Sequence, residues 1–443
     1  MQRLTYDALV AELFPRLTGG IRWGLDRTRR MLAAVGDPHR AYRVLHVGGT
    51  NGKGSVAAHL ESVLRQDGRS VALYSSPHLC SFRERIRLDG RAIDEDALLR
   101  AAERLWPLIL REEPSFFEAT TAIAFLAMAE AGVDTAVVEV GLGGRLDATN
   151  VVSPDVVVLT NVSLDHVQLL GATVPDVARE KAGIIKAGVP VVTGETGTDA
   201  ADEFRDAARA VGAPIDVVAP AAVSVLRMGL DATEFAVRDT AWGDLVLTTP
   251  LLGAHQAMNA ALAVRALGAL PGAAPALDAV RQGIAATRWH GRLQVEVIGG
   301  VTWVFDVAHN VAGVEALVTA VETLPLPRPV VTVVGVLGDK DWAHMLSPLY
   351  GVAGAVILTV PPTAPSERRW DPVEVLAAVP CGRAEVITDF SAALARAQSH
   401  AAAAGSVLVT GSFHTVGDAL AAFGRCPDGS DTSVTPPAFV HAG

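Results

Sequence analysis

The chain has 443 residues, half of them hydrophobic but only 5% aromatic, and a formal net charge of −11. That length predicts two domains with ample cores, and the acidic balance argues against a general nucleic-acid or anionic-membrane surface. Three cysteines, Cys80, Cys381 and Cys426, lie far apart with no CxxC pairing; they argue against a disulfide framework or a zinc site and fit a reducing, cytoplasmic setting.

The start of the chain lacks an apolar signal core, and no apolar run is long enough to span a bilayer. Residues 5–35 carry Leu9, Leu13, Leu17, Ile21, Leu25 and Leu32, a mostly helical approach to the first strand. Residues 42–47 read as a buried strand, and Val56, Leu60, Val63 and Leu64 recur at helical spacing before the stop at Gly68. Between them lies HVGGTNGKGS, residues 46–55. Strand, glycine loop and helix in that order make a phosphate-binding loop. Its backbone N–H groups and the helix N-terminus favour an anion. Lys53 adds a point charge, and the Ser55 hydroxyl can reach a magnesium ion. The match to the Walker A pattern is imperfect: Val47 stands where a glycine is usual, and Gly54 separates the lysine from the hydroxyl.

Residues 70–74 predict a second strand, which Pro77 ends. Ser76 therefore sits at a strand's C-terminal end, where ligands collect in open α/β sheets, although an ordinary Ser-Pro turn reads the same way. A helix is predicted over 94–110. Ser115, Phe116, Phe117 and Glu118 open another, with the two aromatics serving as core or as a ligand platform. Residues 135–139 form an apolar strand ending in Glu139, and a glycine-rich loop follows. A carboxylate there suits a magnesium ligand; its alternative is an ion pair with an arginine. The strand over 155–160 leads to His166 at the same sheet edge, as metal ligand or structural residue. Residues 174–187 are predicted helical, which by itself makes Lys181 a solvated cation. Residues 189–285 alternate short β runs, at 189–193 and 245–249, with alanine-rich helices.

Composition shifts at 287–291, predicting a domain boundary. Residues 293–298 and 301–305 read as a hairpin turned at Gly299 and Gly300. Alternating β and α segments beyond it predict a second doubly wound domain without a GxGxxG dinucleotide site. The expected division is 1–286, a linker at 287–291, 292–424, and a disordered tail over 425–443.

Five motifs in order, GTNGKGS, SSPHL, EVGLGGRLDATN, LDHVQLLG followed by EKAG, and FDVAHN, resemble the folylpolyglutamate synthase and bifunctional dihydrofolate synthase family within the Mur ligases. The likeness runs from about residue 24 to 423. It implies a P-loop ATPase domain with a mostly parallel sheet, followed by a smaller Rossmann-like α/β domain. By this resemblance Thr50, Asn51, Gly52, Lys53, Gly54 and Ser55 hold ATP phosphates. Ser76, Glu139 and His166 match ligands of one or two magnesium ions, and Lys181 matches a lysine carried as a carbamate. Asn259, in an element where Gln256 replaces the usual asparagine, matches a reader of the adenine edge. Arg292 and Asp306 match ATP contacts, with His309 nearby. Ser115 to Glu118, and Leu146, Asp147 and Ala148, match pterin-binding positions. The implied reaction is ATP-driven amide formation between dihydropteroate or a folate and L-glutamate through an acyl phosphate, by a monomer whose domains close on the ligands. Rival readings are a ligase of UDP-linked wall precursors, a non-ligase P-loop ATPase and a silent binding module.

Overall fold

The computed structural model describes residues 4–17, 24–401 and 404–427. Ile21 and positions 428–443 of the expected tail lie outside the described residues. The first domain is built on eight strands: β1 (Arg43–Gly48), β2 (Val71–Tyr74), β3 (Ile86–Leu88), β4 (Arg91–Ala92), β5 (Thr135–Glu139), β6 (Val156–Leu159), β7 (Val191–Thr193) and β8 (Ile215–Val217). They lie in the order β4-β3-β2-β5-β1-β6-β7-β8. The β2–β3 and β3–β4 pairs at one edge are antiparallel; the remaining pairs are parallel. β5 and β6 are buried along their whole length, as valine-rich strands covered on both faces must be.

Register positions the site. Val47 of β1 stands opposite Glu139 of β5, and Gly48 opposite Leu159 of β6. Three strand ends therefore deliver the phosphate loop, Glu139 and the 161–166 loop to one sheet edge. The helix Lys53–Gln66 is buried from Gly54 to Leu64, because two further helices, Ala254–Gly268 and Leu277–Ala286, cover its outer side. The closest approach is at Gly283, where a Cβ would lie 2.3 Å from the Val63 backbone.

Three expectations are corrected. The stretch read as alternating short strands and helices contains a separate antiparallel sheet of β9 (Val223–Met228), β10 (Thr233–Thr240) and β11 (Gly243–Thr249). Its signature is the alternation of β11, with Leu245, Leu247 and Thr249 buried and Asp244, Val246 and Thr248 exposed. The second correction concerns cysteine: Cys80 and Cys426 form a disulfide, Cα atoms 5.9 Å apart. A separation of 346 residues hides that pairing from any spacing argument. The helix predicted over 174–187 ends earlier, at Ala182, where Gly183 takes the C-cap.

The second domain holds β12 (Gln294–Ile298), β13 (Val301–Phe305), β14 (Val330–Val334), β15 (Ala355–Leu358), β16 (Ala384–Val386) and β17 (Ser406–Thr410), in the order β12-β13-β17-β14-β15-β16. The β12–β13 hairpin is antiparallel and the other pairs are parallel, with helices covering the sheet. Residues 287–293 carry no helix or strand. Thr287 there bonds the buried His59 ring at 2.9 Å.

Candidate active site

A cavity of about 1160 Å³ lies between the two domains. Gly49, Thr50, Asn51, Gly52, Lys53, Gly54 and Ser55 form one wall. Two glycines are required by geometry. Gly49 has φ +134° and a Cβ would stand 1.9 Å from Thr160 Oγ1; Gly52 has φ +84° and a Cβ would stand 2.5 Å from Asn259 Oδ1. Gly52 caps the helix that starts at Lys53, so the first-turn N–H groups face the cavity wall. Lys53 Nζ folds back to donate to the Thr50 carbonyl at 3.0 Å. The Ser55 hydroxyl is buried with no protein partner, an orphan polar atom beside a loop suited to anions.

Glu139 lies buried on the facing wall, where its Oε2 accepts the Ser76 N–H at 3.2 Å. Burial raises its pKa, against the pull of the nearby Lys53. His166, at φ 51°, starts the short helix Val167–Leu170; burial and Lys340 lower its pKa. Ser76, Glu139 and His166 all line the cavity. Among the described residues no three His, Cys, Asp or Glu side chains gather into a ready-made metal cluster. The expected trio supplies two such residues and a serine, so phosphate or water oxygens would have to complete a magnesium shell.

Lys181 differs sharply from a solvated helix lysine. It is 4% exposed, and its Nζ donates to the Gly49 carbonyl at 2.9 Å. Burial, with Lys53 nearby, lowers its pKa to about 7. The helical period that made it look exposed is overridden because its helix packs against the phosphate loop.

From the second domain come Arg292, Asp306 and His309. Asp306 follows β13, and its two oxygens accept the N–H groups of Leu293 and Ala308, each at 2.9 Å. Burial raises the Asp306 pKa, opposed by Arg292. The Arg292 guanidinium sits 5.1 Å from the Phe413 ring centre. His309 Nδ1 lies 2.9 Å from the Val307 carbonyl. A carbonyl only accepts, so Nδ1 carries the proton and Nε2 keeps a free lone pair. Burial, with Lys340 adding, drops its pKa to about 4, so the ring is neutral near pH 7. Asn259 also lines the cavity and donates to Gln256 Oε1 at 3.0 Å. That bond gives the unusual glutamine a role in orienting the asparagine amide.

The Ser115–Glu118 and Leu146–Ala148 positions are absent from the cavity lining. Ser115 and Glu118 make a capping box, and Glu118 also pairs with Arg27 at 3.0 Å. Asp147 holds the N–H groups of Leu142 and Thr149. Phe117 packs on Gly141, where a Cβ would meet its ring at 2.3 Å. Phe117 and Asp147 thus buttress the Gly141–Gly143 wall from behind. In front of it, Phe14, His78 and Phe82 line the cavity with the buried Arg85, whose Nε donates to His78 at 2.9 Å.

Sequence reasoning missed the bridge between domains. Asp165 accepts Lys340 Nζ at 2.9 Å and Asn310 Nδ2 at 3.2 Å, while Asn310 also bonds Asn51 Oδ1 at 3.0 Å. Burial by itself would raise the Asp165 pKa, but Lys340 and the neighbouring histidines win and hold it far below the usual carboxylate range. Asp165 and Asn310 were visible as neighbours of His166 and His309; nothing near Lys340 signalled a partner 175 residues away.

A glycine loop and a buried lysine on one domain, closed over by charged residues of another, define an ATP-dependent ligase of the Mur type. Family models agree: the Mur ligase middle domain matches residues 47–267, and the Mur ligase glutamate ligase domain matches residues 291–413. The chain belongs to the folylpolyglutamate synthase and dihydrofolate synthase family of ATP-dependent glutamate ligases. It is 35% identical over 354 residues to the dihydrofolate synthase/folylpolyglutamate synthase of Bacillus subtilis, covering 77% of this chain and 82% of that one. A probable bifunctional folylpolyglutamate synthase/dihydropteroate synthase of Halobacterium salinarum is 36% identical over 431 residues, 94% of this chain; this chain spans only 51% of that protein. The folylpolyglutamate synthase of Mycobacterium tuberculosis complexed with ADP superposes with a TM-score of 0.86 at 33% identity, covering 95% of this chain and 99% of that one. Among the described residues no helix is long and apolar enough to cross a membrane.

Proposed function

We propose that this chain joins L-glutamate to dihydropteroate, to folyl polyglutamates, or to both, at the expense of ATP. One observation carries the reading: a single cavity unites the phosphate loop, a buried lysine with a pKa of about 7, and Arg292, Asp306 and His309 of the second domain. A substrate carboxylate oxygen attacks the γ-phosphorus, the bond to the bridging oxygen breaks, and ADP leaves an acyl phosphate. The glutamate α-amine then attacks the acyl carbon and gives up a proton. Phosphate departs with the former carboxylate oxygen, leaving an amide. The protein positions and neutralises charge; it forms no covalent bond of its own.

In this reading Thr50 to Ser55 cradle the phosphates and Lys53 swings from the Thr50 carbonyl to meet them. Asn259 reads the adenine edge, Arg292 and Asp306 contact the nucleotide, and His309 presents its Nε2 lone pair as an acceptor. Ser76, Glu139 and His166 would hold magnesium, with Ser55 reaching it. Bound magnesium offsets the repulsion between carboxylate and triphosphate. The low pKa of Lys181 supplies the neutral amine that carbamate formation needs, and the resulting anion would sit among these cations. The pterin is held by the wall that Phe117 and Asp147 support and by Phe14 and Phe82, on which Phe116 packs; Ser115, Glu118, Leu146 and Ala148 lie outside the cavity lining. The enzyme works as a cytoplasmic monomer on small molecules. Phosphate release should require ATP, glutamate and either dihydropteroate or tetrahydrofolate together. Equal release without glutamate would point to a plain ATPase, and release only with a UDP-linked peptide precursor to a wall ligase.

A further inference from the structure

The loop that begins at Ser76 crosses the domain boundary. Leu79 and Cys80 belong to the first domain by sequence, yet they pack on the second domain's core beside Val416, Leu420 and Phe423. The Leu79 carbonyl lies so close to the helix Phe413–Ala422 that a Cβ on Gly417 would come within 2.3 Å of it. Cys80 Sγ is 3.7 Å from the Gly417 carbonyl, and its disulfide partner Cys426 lies just beyond that helix. The same loop lines the cavity from Ser76 to Cys80, and Phe413 and His414 line it from the other side.

We infer that Cys80 and Cys426 form a redox-controlled staple across the domain boundary, closed by oxidation and opened by thiols. Both cysteines are partly buried rather than enclosed, so a small thiol or disulfide can reach them. Closing the staple takes two electrons and two protons from two thiols. A low-molecular-weight disulfide accepts them and becomes two thiols, by thiolate attack and a mixed-disulfide intermediate. The consequence is mechanical. A wall segment of the first domain is tied to the second domain at the rim of a cavity that nucleotide and product must leave. With the staple closed, the walls cannot separate. With it open, noncovalent contacts alone resist opening, among them the Leu79 packing, the Asp165–Lys340 bridge and the Asn310 bonds to Asn51 and Asp165. Cys381, the free cysteine among the described residues, packs in a different cluster and serves as a control. The link itself is independent of the proposed chemistry; its effect on turnover rests on the proposed domain movement.

The test incubates the full chain with oxidised glutathione or with dithiothreitol, then maps cysteines by differential alkylation, measures ligand-free X-ray scattering and assays phosphate release. The expected result is a Cys80–Cys426 peptide only in the oxidised sample, with scattering that stays compact where the reduced protein expands. Turnover should fall roughly tenfold or more as opening becomes limiting, and recover on reduction. Cys426→Ser and Cys80→Ser should respond to neither reagent, and Cys381→Ser should behave as wild type. Failure to form the link under oxidant overturns the inference, as does a formed link with unchanged scattering and turnover, or an equal oxidant response in Cys426→Ser. If the ligase assay is silent throughout, the reaction reading fails while mapping and scattering still decide the staple.

Discussion

Replacing Lys181 by methionine keeps the length of the side chain and removes its amine, and the structure gives the effect a sign and a size. The lysine's pKa falls from 10.5 to about 7, through burial first and Lys53 second. Between those values the unfolded chain binds a proton that the native protein does not. Native stability therefore rises with pH across that window, and the penalty is complete below it. At 1.36 kcal/mol per unit, the buried amine costs the fold about 5 kcal/mol near neutral pH. Against this, methionine forfeits the bond to the Gly49 carbonyl and strands that acceptor, worth about 1–3 kcal/mol. Lys181→Met should thus be more stable than wild type by about 2–4 kcal/mol at pH 7, with the advantage shrinking by about 1.4 kcal/mol per pH unit and lost by about pH 8.5–10. Urea unfolding of both proteins in carbon-dioxide-free buffer across this range measures the difference. The same variant should lose most ligase activity while folded, with partial rescue by a short carboxylic acid. Parallel pH profiles, or a variant several kcal/mol less stable at pH 7, would show that the lysine is charged and paired. Near-normal turnover of Lys181→Arg without carbon dioxide would remove the carbamate, since a guanidinium cannot take it up.

Other consequences are equally specific. Gly49→Ala should abolish nucleotide binding and cost roughly 2–4 kcal/mol, because the new methyl meets both Thr160 Oγ1 and a positive φ; binding by calorimetry within threefold of wild type would contradict this. Lys340→Ala leaves a half-buried Asp165 without its cation, so ligand-free scattering should expand and KM for ATP should rise more than kcat falls; unchanged scattering would deny the bridge a role in closure. Glu139→Gln should raise the magnesium concentration for half-maximal activity at least tenfold, and an unaltered magnesium curve would take Glu139 out of the metal site.

What the sequence made legible was local. Residues 46–55 announce a phosphate loop because strand, turn and helix are contiguous, and Ser115 to Glu118 open the next helix where the sequence places its start. The β12–β13 hairpin announces itself through its two glycines. What stayed hidden depends on contacts between distant segments. Lys181 reads as a surface residue until the phosphate loop is laid on its helix. Asp165 and Lys340 carry no mutual signal, and neither do Cys80 and Cys426. Of the sheet β9–β11 the sequence shows the run at 245–249 within β11; β9 stays hidden because the adjacent Val225 and Leu226 are both exposed, which blurs the alternation expected of a half-buried sheet. The positions matched to pterin contacts illustrate the reverse difficulty: a motif marks a neighbourhood, and the structure decides which of its side chains face the cavity and which brace the wall.

The central claim is that the γ-phosphoryl group passes through the substrate carboxylate. Dihydropteroate carrying heavy oxygen in that carboxylate, turned over with ATP and glutamate, tests it directly. Mass spectrometry of the released phosphate should find one heavy oxygen for each labelled carboxylate oxygen expelled, matching amide formed. Phosphate free of label, formed in step with amide, would mean that water or another group accepted the phosphoryl and would contradict the acyl-phosphate route.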